Sequence, residues 1–127
     1  MNLNKAGRAS LGATPRLLIV EDEAVLRRVL GDYYARRGMQ VSVAGSIAAA
    51  RRLLAERVFD LFLIDVQLPD GDGLGLLGSV SRERALAMSS RPDPDRFEQL
   101  GIRHLAKPFD LSALTQALQE MLETGPP

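Results

Sequence analysis

Cysteine is absent from this chain and histidine occurs once, as His104. The first absence excludes disulfide scaffolds, thiolate zinc sites and cysteine nucleophiles, and suits a reducing compartment. With a single imidazole, a conventional zinc enzyme or a Ser-His-Asp hydrolase is disfavoured too, since both use histidine in defined roles. Net charge is also lacking: 16 Lys and Arg stand against 16 Asp and Glu, so no global field draws the chain to nucleic acid or to an anionic membrane. No apolar run approaches the roughly 20 residues that span a bilayer. Residues 1–14 carry Lys5 and Arg8 but lack the apolar centre of a secretory signal. A cytoplasmic location is therefore expected, and any charge-dependent chemistry must be local.

What is present is a regular alternation of short apolar runs with helix-period segments, the pattern of repeated β-α units on a parallel sheet. The 127 residues suffice for one domain with a real core. Strands are expected at 17–20, 41–44, 61–64, 85–88 and 103–106. The third, Leu61, Phe62, Leu63 and Ile64, is continuously apolar, as a central strand covered on both faces must be. The first helix is expected over 24–37, with Val25, Leu26, Val29, Leu30 and Tyr33 on its inner face and Gly38 as its stop. Ser46 is the expected N-cap of a second helix running to Arg57, with Ile47, Ala50 and Leu54 inward. Leu74, Leu77 and Val80 define a short helix that Gly75 and Gly78 weaken. Pro92 and Pro94 leave only about 95–100 for a fourth helix, and a fifth is expected over 111–123, burying Leu111, Leu114, Leu118 and Met121 or Leu122. The expected organisation is a flexible N-terminal tail (1–15), one domain (16–123) and a C-terminal tail (124–127).

In an open parallel sheet, ligands bind outside the carboxyl ends of the strands. The residues there are Glu21, Asp22 and Glu23 after the first strand, Asp65 after the third, Ser89 and Ser90 after the fourth, and Lys107 with Pro108 after the fifth. Carboxylates gathered on one rim repel unless a cation lies among them. Mg²⁺ is the natural one, since it takes oxygen ligands and keeps several waters. Asp65 then makes sense as a nucleophile toward phosphorus, with Lys107 neutralising charge and Ser89 donating to the phosphoryl group. Each residue alone has an ordinary structural explanation, such as first-turn acids at a helix N-terminus. Their conjunction on one rim carries the reading.

The stretches Leu17-Leu18-Ile19-Val20-Glu21-Asp22-Glu23, Leu63-Ile64-Asp65, Leu68-Pro69-Asp70-Gly71-Asp72-Gly73 and Lys107-Pro108-Phe109 closely resemble response-regulator receiver domains over about residues 16–123. The resemblance implies a five-stranded parallel sheet in the order 2-1-3-4-5 flanked by helices, the (βα)5 receiver fold. It further implies Asp65 as phosphoacceptor in a two-component phosphorelay, taking the phosphoryl group from a phosphohistidine of a histidine kinase or phosphotransfer protein. Asp22 would ligate Mg²⁺ directly, Glu21 directly or through water, with Asp65 and the backbone carbonyl of Gln67 as further ligands. Lys107 would pair with the acceptor, and the peptide to Pro108 would be cis. Ser89 and His104 would be the switch residues, His104 standing where receivers usually carry Tyr or Phe. Such a domain catalyses its own phosphorylation and dephosphorylation rather than acting as an enzyme on other substrates. It would signal to a downstream effector protein or output domain, without itself binding nucleic acid or membrane, and its partners include a second copy in a homodimer.

Three departures stand out. Ser89 has Ser90 beside it, His104 replaces the usual aromatic ring, and the segments 73–89 and 89–107 are each several residues shorter than usual, which shortens the fourth helix. That last departure leaves room for a degenerate receiver acting as a phosphorylation-independent interaction module. A phosphatase of the haloacid dehalogenase type would want an Asp where Gln67 stands. A flavodoxin-like carrier would want a phosphate cradle where Glu21, Asp22 and Glu23 would repel FMN.

Overall fold

The computed structural model describes residues 14–124; the expected tails, 1–15 and 124–127, lie outside them except for residues 14, 15 and 124, the last of which ends a helix. Five parallel strands, β1 (Arg16–Val20), β2 (Gln40–Ala44), β3 (Leu61–Asp65), β4 (Ala85–Ser89) and β5 (Arg103–Ala106), form one sheet in the order 2-1-3-4-5. Four α-helices accompany them: α1 (Ala24–Arg36), α2 (Ile47–Glu56), α3 (Pro94–Leu100) and α4 (Leu111–Thr124). Pro15 already lends its carbonyl to the Gln40 amide, at 2.9 Å.

Alternation along the strands splits the core in two, because successive side chains point to opposite faces. Leu18, Val20, Phe62, Ile64, Ala85 and Ala87 pack with Ala50 of α2 and Phe97 of α3. Leu17, Ile19, Leu61, Leu63, Leu86 and Met88 pack with Leu30 and Tyr34 of α1 and with Leu114, Leu118 and Met121 of α4. Every residue of β3 and β4 is buried. Each large apolar side chain so buried contributes about 1.5–3 kcal/mol.

Two expectations are corrected. The inner face of α1 is not the one containing Val25 and Val29, which are 72% and 47% exposed. It runs through Leu26, Leu30, Tyr33 and Tyr34, the i, i+4, i+7, i+8 stripe. Tyr34 can take a core position because its hydroxyl is 2.9 Å from Thr115 Oγ1 on α4, so no polar atom is stranded. The segment expected as a third helix is instead a 3-10 turn, Gly73–Ser79, with Leu74, Leu76 and Leu77 buried. Its start is forced close to β3: Gly73 N donates to Val66 O at 2.8 Å, and a Cβ on Gly73 would lie 1.9 Å from the Asp65 carbonyl oxygen. Only glycine fits there.

Local chemistry marks the remaining boundaries. Ser46 Oγ accepts from Ala49 N at 3.1 Å as the N-cap of α2. Asp93 caps α3, Pro94 occupies its first turn, and Gly101 ends it in the left-handed conformation. The loop after β3 is tied on both sides. Asp70 accepts from Ile47 N and Ala48 N of α2 at 2.8 and 3.0 Å; Asp72 caps the 3-10 turn through Leu74 N and pairs with Arg96 of α3 at 2.7 Å.

Burial pushes the Tyr34 hydroxyl up to about 12. The protonated phenol is thus favoured in the fold, a contribution fully present below the unfolded value of about 10 and lost as pH rises through about 12. Chemical unfolding should show the wild type losing about 2–3 kcal/mol across that window beyond what Tyr34→Phe loses. An equally steep decline in Tyr34→Phe would show that another group is responsible. At neutral pH the same substitution should cost about 1 kcal/mol, since Thr115 loses its buried partner.

Candidate functional site

Backbone bonds that continue the ladder past the strand ends bring the rim residues together. Glu21 N donates to Ala44 O at 2.9 Å, Val66 N to Met88 O at 2.9 Å, and Lys107 N to Ser89 O at 2.8 Å. The chain therefore leaves β1, β3 and β5 in step, and the side chains of Glu21, Asp65 and Lys107 converge. Lys107 Nζ lies 2.5 Å from Glu21 Oε1 and 3.0 Å from Asp65 Oδ2. The Lys107–Pro108 peptide is cis.

Both carboxylates are held on their second oxygen as well. Glu21 Oε2 accepts from Glu23 N at 2.9 Å, and Asp65 Oδ1 accepts from Gln67 N at 3.0 Å. Glu21 is fully buried and Asp65 nearly so, whereas Asp22 is exposed. Burial raises the Glu21 pKa above its ordinary value, and the hydrogen bond from Lys107 only partly offsets this. Burial also works against the Lys107 ammonium, but its hydrogen bonds to Glu21 and Asp65 outweigh that cost and raise its pKa.

Carboxylate oxygens of Glu21, Asp22 and Asp65 lie within 4.8 Å of one another. When ionised, these three groups face one ammonium, leaving two negative charges to be balanced. An oxygen-only donor set with that deficit fits a hard divalent cation.

The other expected residues fall near this cluster in different states. Ser89 is buried, and its Oγ lies 3.0 Å from Gln67 Nε2 and accepts from Arg91 N at 3.0 Å. Ser90 is exposed, its amide 3.3 Å from Gln67 Oε1. The Gln67 side chain thus spans both serines, a role missed when only its carbonyl was considered. His104 is exposed, its ring centroid 4.6 Å from that of the buried Phe97. Arg27, unremarked in the sequence, donates from Nη1 to the carbonyls of Glu21 and Asp22. A wide concavity at the opposite end of the sheet, bordered by Arg57, Phe59 and Arg84, contains no comparable gathering of carboxylates and cation.

Comparison with known proteins gives the family. Residues 17–119 match the response regulator receiver domain family. The chain is 37% identical over 116 residues to the transcriptional activator protein PfeR of Pseudomonas aeruginosa, covering 86% of this chain and 38% of that protein. It is 33% identical over 114 residues to the TorCAD operon transcriptional regulatory protein TorR of Escherichia coli, covering 84% and 49%. It thus spans half or less of these curated relatives. Among solved structures, the non-phosphorylated HemR receiver domain of Leptospira biflexa superposes with a TM-score of 0.79 at 27% identity, over 90% of this chain and 98% of that one. A signal receiver domain from Pseudomonas fluorescens gives 0.78 at 27% identity, over 87% and 96%. Among the described residues no helix is long and apolar enough to cross a membrane.

Removing Lys107 leaves two buried carboxylates facing each other. In metal-free buffer, Lys107→Ala should lower unfolding stability by about 3 kcal/mol, and adding Glu21→Gln should restore part of it by removing one uncompensated charge. If Glu21→Gln has the same effect in both backgrounds, the two residues are not coupled as described.

Proposed function

From the premise that this chain belongs to the response regulator receiver domain family, we propose that Asp65 is its phosphoacceptor and that the rim cluster catalyses transfer from a phosphohistidine. The observation that carries this reading is the Asp65 carboxylate held between Lys107 Nζ and Gln67 N beside two further acids. Those contacts fix its direction before any donor arrives.

An Asp65 oxygen attacks phosphorus, forming an acyl phosphate as the bond from phosphorus to the donor imidazole nitrogen breaks. The displaced imidazole takes up a proton from solvent. Lys107 follows the charge as it moves from the carboxylate to the phosphoryl oxygens, exchanging one anionic partner for another. Glu21, Asp22, Asp65 and the Gln67 carbonyl would hold Mg²⁺, which when bound neutralises phosphoryl oxygens. Glu21 stays buried and keeps Lys107 oriented while Asp65 changes charge state.

Ser89 supplies the first step of the response. Its hydroxyl is engaged with Gln67, so donating to a phosphoryl group on Asp65 requires it to exchange that partner. Gln67 is then left with Ser90 alone, and the rim between β3 and β4 rearranges. His104, packed on Phe97 of α3, would relay this change at the β5 edge. The partners implied are a histidine kinase or phosphotransfer protein on one side and an output domain or effector protein on the other.

Incubation with acetyl phosphate and Mg²⁺ should add one phosphoryl group, seen by intact-protein mass spectrometry, and Asp65→Asn should add none. A folded wild type that stays unmodified would favour a phosphorylation-independent interaction module. Separately, Asp22→Ala should weaken Mg²⁺ binding by an order of magnitude or more. An unchanged Mg²⁺ titration would remove the acidic pair from the metal site.

A further inference from the structure

Gly45 follows β2 directly and has no left-handed backbone that would call for glycine. The reason for it is space. A Cβ at this position would lie 2.8 Å from Arg27 Nη1 and 3.4 Å from its Cζ. The guanidinium in that space reaches back from the first turn of α1 and donates to Glu21 O at 2.9 Å and Asp22 O at 3.2 Å. The adjoining residue of β2, Ala44, accepts from the amide of Glu21. The end of β2 and the glycine after it thus shape both attachments of the turn that carries the two acids.

This matters because the acids are restrained differently. Glu21 is buried with Lys107 on its side chain. Asp22 is exposed, so the direction of its carboxylate follows from its backbone. Arg27 holds the carbonyl of the peptide that enters Asp22 and that of the peptide that leaves it, and so sets that backbone without contacting a reacting atom.

We propose that Arg27 is a positioning residue for the metal site, orienting the turn at residues 21–22 so that Asp22 completes the oxygen cluster, and that Gly45 is required to admit its guanidinium. The inference rests on the reading of Glu21, Asp22 and Asp65 as an Mg²⁺ site. Two effects of the guanidinium oppose each other. As a nearby positive charge it would weaken cation binding; as a donor to both carbonyls it preorganises the ligand turn and strengthens binding. The second effect dominates, because the hydrogen bonds are direct and charge-assisted while the repulsion is screened at an open rim.

The opposite signs make the test decisive. Mg²⁺ titrated into the full chain and followed by amide NMR shifts should bind Arg27→Ala roughly tenfold more weakly than wild type, the low end of the cost of removing an outer partner of a metal ligand. Arg27→Lys, which keeps the charge and a point donor, should recover part of the loss. Gly45→Ala should reproduce it, since its Cβ displaces only the end of a flexible side chain, and should add nothing in the Arg27→Ala background. Equal or tighter Mg²⁺ binding by a folded Arg27→Ala, or an additive effect of Gly45→Ala, would overturn the inference while leaving the metal site standing. A wild type that neither binds Mg²⁺ nor accepts a phosphoryl group would overturn both.

Discussion

The Lys107 ammonium shared by the buried carboxylates of Glu21 and Asp65 is the contact on which the rest of this rim depends. A buried carboxylate is costly, and two within reach of one cation are worse. The fold meets that cost by ending three parallel strands in step, with backbone bonds that run one residue past each strand. Each carboxylate then receives one backbone amide and one ammonium contact. Desolvation still raises the Glu21 pKa, so the pocket is polarised toward accepting positive charge. A site that only stabilised the fold would do better with apolar residues. On the proposed reading, a site that receives a cation and then a phosphoryl group uses this residual electrostatic demand.

The architecture was legible because its signals are local and strong. Buried strands read as unbroken apolar runs, and the sheet order accompanied the family motifs. The rim was legible because strand ends collect ligand-binding groups in any open parallel sheet, and Glu21, Asp22, Asp65 and Lys107 stand at such ends. What failed had a common cause: the outcome depended on a partner distant in sequence. Tyr34 joins the buried face of α1, while Val25 and Val29 stay exposed, because Thr115, on the last helix, satisfies its hydroxyl. The segment at 73–79 closed as a 3-10 turn because Gly73 must lie against the Asp65 carbonyl, a contact that periodicity within the segment cannot reveal. Arg27 and Gly45 belong together only once α1 and β2 are side by side.

The loop from Asp70 to Gly73 shows how a short segment can integrate the domain. Its two aspartates look like ordinary turn residues, yet Asp70 caps α2, and Asp72 both caps the 3-10 turn and pairs with Arg96. The loop begins three residues past Gln67, whose side chain is bound to Ser89. Elements on both sides of β3 are therefore joined to the segment that leaves Asp65. The exposed Asp72–Arg96 pair contributes little stability by itself; its value is geometric, fixing α3 relative to the loop.

That geometry bears on the short α3. With seven residues it is too brief to hold a helix by propensity, since isolated helices of this length are marginal in water. It persists through a capping Asp93, a proline in its first turn, a glycine stop, and one fully buried anchor, Phe97. His104 covers that anchor from β5, while Arg96 ties the helix to the loop beyond Asp65. Its position is thus set by Phe97 and Leu100 in the core, by Arg82, whose Nη1 donates to Leu100 O at 2.7 Å, and by these two contacts along the rim. On the proposed reading, a change at Asp65 reaches α3 through few intermediaries, and seven residues with one fully buried aromatic resist movement less than a longer helix with several such anchors would. Shortening it would therefore lower the resistance to a rim-driven movement, provided Asp93, Phe97 and Gly101 keep it folded.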